Sequence, residues 1–128
     1  MGTIKKLKIQ DVRQLGKELI YYYGEGSDDQ TIDILWAEID QPQPHLEFHT
    51  KGDADGYSLP EQSVSYVDAD FFVTLNYKKL VAYLTDEKSR DFDTLEITYS
   101  EDDQSKDVKI TKIKTTETTV EEEHLTRI

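Results

Sequence analysis

Cysteine is absent from this 128-residue chain, so a disulfide framework, a thiolate zinc site and a cysteine nucleophile are excluded together. Proline is sparse, with Pro42, Pro44 and Pro60 as its three copies, and the six glycines include one close pair, Gly24 and Gly26. That pair follows a helical pattern, whereas a phosphate-binding loop precedes its helix, and its neighbours Glu25, Asp28 and Asp29 would repel the ligand. No apolar run approaches the length needed to cross a bilayer, and the opening MGTIKKLKIQ lacks the core of a secretory leader. Lys6 stands where a myristoylation motif requires Ser or Thr. No G-x-S-x-G elbow is present. These absences favour one cytoplasmic, non-enzymatic domain without cofactor or membrane partner.

What is abundant is negative charge, −12 in all, and it is unevenly placed. Residues 1–23 sum to +3, while residues 24–70 carry twelve acids against Lys51 alone. A field of that sign repels phosphates and favours a basic partner.

The elements follow from periodicity. Residues 3–9 read as a strand; Asp11 caps a helix over Val12–Tyr23 with Val12, Leu15, Leu19, Ile20 and Tyr23 on its stripe, and Gly24 closes it. TIDILWAEI is a strand whose apolar face switches midway, through a bulge or because both faces are covered. QPQP breaks the chain, HLEFHT alternates strictly, and KGDADG turns it. Brief strands are expected around Tyr57–Leu59 and Val64–Tyr66. DFFVTL leads through the cap Asn76 into a second helix with Tyr77, Leu80, Val81 and Leu84 buried. DTLEITYS and VKITKIK form a hairpin across the polar loop EDDQSKD. In residues 115–128, Val120, His124 and Ile128 fall four apart, which reads as a polar tail with a short amphipathic helix or a frayed end. No sequence repeat is visible. The class is therefore α+β: a domain over residues 1–114 with a mostly antiparallel sheet of about five to seven strands, two helices on one face, and an order of roughly βαββ(β)βαββ.

Three functional readings arise. The leading one is a small acidic binding protein that docks a basic protein, of the inhibitor or immunity type, and occludes a nucleic-acid site without touching nucleic acid itself. Its contact residues would be Tyr22, Glu25, Asp28, Asp29, Asp53, Asp55, Asp68 and Asp70. Tyr21, Tyr22 and Tyr23 project in three directions from a helix end, so at least one is exposed, and tyrosine suits contact surfaces. The third in rank is a metal-dependent enzyme using His45, Glu47 and His49, which alternate onto one strand face and offer the nitrogen and oxygen donors that zinc accepts, with His124 a candidate for the fourth ligand. An exposed polar strand face accounts for the same triplet. Asp53 and Asp55 fail the calcium-loop pattern, because Gly56 comes two positions early and Gln62 occupies the place of the closing glutamate.

The second in rank rests on element order. Over residues 3–114 that order resembles a single domain of the DNA sliding clamps. The resemblance implies helices that present basic residues to DNA, here Arg13, Lys17, Lys78 and Lys79, and an assembly of several copies.

Overall fold

A computed structural model describes residues 3–38, 43–50, 56–86, 92–102 and 104–128. Gln41 and Pro42 of the QPQP break, and Asp53 and Asp55 of the following turn, lie outside these residues. The chain runs β1 (Ile4–Gln10), α1 (Val12–Tyr23), β2 (Thr31–Ala37), β3 (His45–Thr50), β4 (Tyr57–Pro60), a 3-10 turn (Glu61–Ser63), β5 (Val64–Val67), β6 (Phe72–Asn76), α2 (Tyr77–Thr85), β7 (Thr94–Ser100), β8 (Asp107–Lys114) and β9 (Thr119–Thr126).

The class is the α+β one that the pattern implies, and the pairing is antiparallel throughout. The strands divide between two sheets, ordered β5-β1-β7-β8-β9 and β4-β3-β2-β6. The division has a simple logic. Residues 4–60 form strand, helix and three-strand meander, and residues 72–126 repeat that order. In each half the first strand leaves its own meander and joins the other: β1 pairs with β7, and β6 pairs with β2. The topology is thus duplicated although the sequence is not.

Alternation fixes which side of each strand is dry. Ile32 and Ile34, Leu46 and Phe48, Val73 and Leu75, Leu95, Ile97 and Tyr99, and Val108 with Ile110 are all buried. Strand β2 keeps continuous register with both neighbours, so no bulge explains its mixed faces. Its outer residue Leu35 is instead half-buried, leaving both sides partly covered.

The helices lie antiparallel in one layer. The middle of α1 meets the end of α2, where a side chain on Gly16 would come within 2.9 Å of Thr85 Cγ2 and 3.0 Å of Leu84 Cβ. The end of α1 meets the start of α2, where the Tyr77 hydroxyl donates to Leu19 O at 3.0 Å and to Gly24 O at 2.6 Å. Gly16 is the close-approach point that lets the two backbones touch.

The C-terminal segment corrects the tail reading. Residues 119–126 are an edge strand in full register with β8, from Lys114↔Thr119 to Asp107↔Thr126. Val120 and Ile128 are exposed, so their spacing marks no buried stripe. The operative period is two: Glu121 faces Lys112, and Leu125 packs on the core opposite Val108. Beyond the strand, the Ile128 amide donates to Thr74 O at 3.0 Å, joining the second half's meander to β6.

Candidate functional site

The two helices carry four basic residues, Arg13, Lys17, Lys78 and Lys79. In α1, Val12, Leu15, Gly16 and Leu19 are buried; in α2, Tyr77, Leu80, Val81, Tyr83 and Leu84 are. At 100° per residue, Arg13 and Lys17 emerge into solvent on the flank of α1 that carries Gly16. Lys78 emerges on the same side of α2 as Thr85, two turns away, which is the side that meets Gly16. Arg13, Lys17 and Lys78 therefore border one seam. Lys79 points away from it, into a shallow cleft against β9 that is lined also by Ala82, Asp86, Glu123 and Leu125.

Lys78 Nζ sits 3.0 Å from Asp28 Oδ1, and this hydrogen bond holds the amine above its ordinary pKa. Because the Asp28 side chain is 94% exposed, water and salt weaken the pair, and an incoming anion can compete for the lysine.

The acids that the docking reading groups together fall at two ends of β6. Glu25, Asp28 and Asp29 stand exposed on the α1–β2 connection, which Asn76 anchors by donating from Nδ2 to Asp28 O at 2.8 Å. Asp68 and Asp70 lie before β6, beside β1. Asp68 accepts the Lys6 amide at 2.7 Å and the Tyr66 hydroxyl at 3.0 Å. Asp70 is 2.7 Å from Lys5 Nζ, and that hydrogen bond holds its carboxyl below the ordinary range. A five-residue strand spans about 16 Å, so the two groups do not form one patch.

His45, Glu47 and His49 do converge. Glu47 Oε2 is 2.8 Å from His45 Nε2, and Oε1 is 2.6 Å from His49 Nε2. The bond from His49, reinforced by His45, lowers the Glu47 pKa against the opposing effect of burial. On the far side of His45, Nδ1 lies 2.9 Å from Gln43 O. Gly56, at φ +72°, lies flat on the His49 ring, where a Cβ would come within 2.6 Å of Cε1. The carboxylate thus occupies the Nε2 position of both imidazoles. Among the described residues no group of three His, Cys, Asp or Glu is arranged to hold a metal ion. His124 is not a fourth member: it lies on β9 in the other sheet, between Asp107 Oδ2 at 2.8 Å and Glu122 Oε2 at 2.7 Å.

Tyr22 is 59% exposed and Tyr21 82% exposed, whereas Tyr23 is half-buried and donates to Phe48 O at 3.0 Å. Sequence reasoning singled out Tyr22 and passed over Tyr21, the barest of the three. It also missed Lys112, which is fully buried with its Nζ 3.0 Å from Tyr83 O and 3.5 Å from Glu121 Oε1. The signal for Lys112 was available, since alternation in β8 places it on the face of Val108 and Ile110.

No family model, curated protein or solved structure matches this chain. Among the described residues no helix is long and apolar enough to cross a membrane.

Proposed function

We propose that this chain is a nucleic-acid accessory module of the sliding-clamp type, several copies of which present their helix layers to DNA. The carrying observation is the seam: two antiparallel helices, one from each half of a duplicated topology, bordered on their solvent side by Arg13, Lys17 and Lys78. The chain as a whole is strongly negative and repels phosphates, so binding rests on these three cations. Three contacts give one copy little affinity. Copies joined head to tail around a duplex would multiply it through effective concentration without further contacts.

The reading is tested by fluorescence anisotropy with labelled duplex at low salt, alongside light scattering for oligomeric state. Binding is expected to fall with log salt at a slope of about −3 for each copy in contact, from three phosphate contacts apiece, and to vanish in Arg13→Glu/Lys17→Glu/Lys78→Glu. No association in any oligomeric state, or binding indifferent to those reversals, refutes it.

The basic-protein reading retains Glu25, Asp28 and Asp29, which stand exposed together. It is the weaker one because Asp68 and Asp70 are taken up by β1.

A further inference from the structure

The exposed side of α1 carries more than charge. Arg13, Lys17 and Tyr21 succeed one another at four-residue intervals, so their Cα atoms climb the helix by about 6 Å per step along one exposed arc. The third member is an aromatic ring in water. Tyr21 is 82% exposed, and its ring is in contact with a neighbouring one. Its ring meets Tyr22 edge to face at 5.5 Å, Tyr22 lies against Tyr57 at 5.2 Å, and Tyr57 lies against Phe48 at 5.9 Å. Phe48 belongs to the core at 1% exposure. Four rings therefore form a ladder from the interior to the surface, and Tyr21 is its last rung.

A propped aromatic face next to two cations has a definite chemistry. The cations suit an anionic backbone, and the ring face suits a flat π-system that follows it. Arg13 and Lys17 lie on the same arc and would repel a basic peptide, the other occupant that tyrosines commonly receive. Glu18 lines the same shallow surface depression as Lys17 and Tyr21, its carboxylate accepting from Gln14 Nε2 at 2.8 Å. Bases inside a duplex are already stacked and expose no face to a side chain; unpaired bases do.

We propose that Tyr21 is a stacking platform for an unpaired nucleobase, so that a single strand can cross Arg13 and Lys17 in place of the duplex; the role rests on the nucleic-acid reading above. Tyr22 and Tyr57 are positioning residues that hold the ring upright. Rigidity matters here because a ring already ordered gives up little freedom on binding.

The test compares three labelled ligands at low salt by anisotropy: an oligothymidine, a strand of equal length with abasic sites, and a duplex. Tyr21→Ala is expected to weaken oligothymidine binding by about 5- to 150-fold, the range for loss of one stacked base, while abasic and duplex binding change less than about twofold. Tyr21→Phe keeps the ring and should restore the oligothymidine affinity. With a side chain this exposed, neither variant threatens folding. Oligothymidine binding unchanged in Tyr21→Ala, or lost equally for the abasic strand, overturns the platform while leaving the seam intact. Failure of all three ligands to bind wild-type protein overturns the seam and the platform together.

Discussion

The two halves of the molecule have one topology and two kinds of chemistry. In each, a helix tyrosine latches onto its own meander: Tyr23 donates to Phe48 O on the middle strand at 3.0 Å, and the Tyr83 hydroxyl lies 2.8 Å from Glu121 O on β9 and 3.2 Å from Ile110 O on the middle strand β8. Around the first latch the neighbours are aromatic, with Tyr77 at 6.1 Å from Tyr23 and Tyr57 against Phe48. Around the second, a charge is buried. Lys112 Nζ lies 4.0 Å from the Tyr83 ring centroid and donates to the Tyr83 carbonyl in the last turn of α2 at 3.0 Å. Burial, with the added field of Glu121, pushes the Tyr83 hydroxyl well above the ordinary tyrosine range. Both fillings satisfy the same rule, for among the described residues no buried side-chain nitrogen or oxygen lacks a partner. The duplicated fold demands closure of the helix against its meander and is indifferent to whether rings or an ion supply it.

The sharpest way to break that comparison is at Lys112. Lys112→Ala removes a fully buried side chain, strips the Tyr83 carbonyl of its amine and leaves Glu121 without its ion-pair partner. The expected loss is about 3 kcal/mol by urea denaturation, with Lys112→Met recovering part of it by filling the volume. A loss below about 1 kcal/mol would mean the ionic filling is incidental and the halves are closer than they look.

The helix starts differ in the same spirit. Asn76 caps α2 properly, its Oδ1 accepting from the Lys79 amide at 2.9 Å while Nδ2 ties down Asp28. Asp11 stands at the cap of α1 with φ 61°, a left-handed conformation, and makes no side-chain cap bond. Its backbone amide instead donates to Asp93 O at 2.8 Å, tying the helix start to the entry of β7. Asn76→Ala should cost about 1 kcal/mol, whereas Asp11→Gly should be neutral or stabilising by up to about 1 kcal/mol, because glycine tolerates that φ. Thermal unfolding of the two variants gives shifts of opposite sign if the contrast holds. Equal losses would show that Asp11 is held for its side chain after all.

Asn76, Gly24, the buried stripes of both helices and the alternation of β3, β6 and β7 were legible because each is a local rule acting over a few residues. The division into two sheets was not. It depends on β1 reaching β7 and β6 reaching β2, pairings that no short-range pattern records. Strand β9 was hidden by its own composition: Glu121, Glu122 and Glu123 suit an edge strand that must resist further pairing, and the same acids made it look like a solvated tail. At the candidate site, composition marked the acidic segment, but which acids are spent on β1 is a tertiary fact. The seam was half-visible. Gly16 inside a helical stripe signals close approach, yet only the fold supplies Thr85 as what approaches.

The smallest expected effect separates the halves by pH. Glu47 in the first half has its folded pKa lowered below the ordinary value, mainly by the bond from His49 and then by His45, so its contribution to stability is present above that value. It is lost as pH falls through the lower, folded one. His124 in the second half has its folded pKa raised by Glu122 and then Asp107, so its contribution is complete below the ordinary histidine value and is lost as pH rises through the elevated one. Acid should therefore loosen the first half, and mild alkali the second. Stability measured against pH should lose part of its acid limb in Glu47→Gln, and part of its slope above the ordinary histidine value in His124→Gln. The histidine effect should shrink further in high salt, since its ring and both carboxylates are substantially exposed to water. A His124→Gln profile that matches wild type at low salt would mean that the histidine adds nothing to the second half's charge chemistry, which would then rest on pairs such as Lys112–Glu121 and Lys114–Glu117.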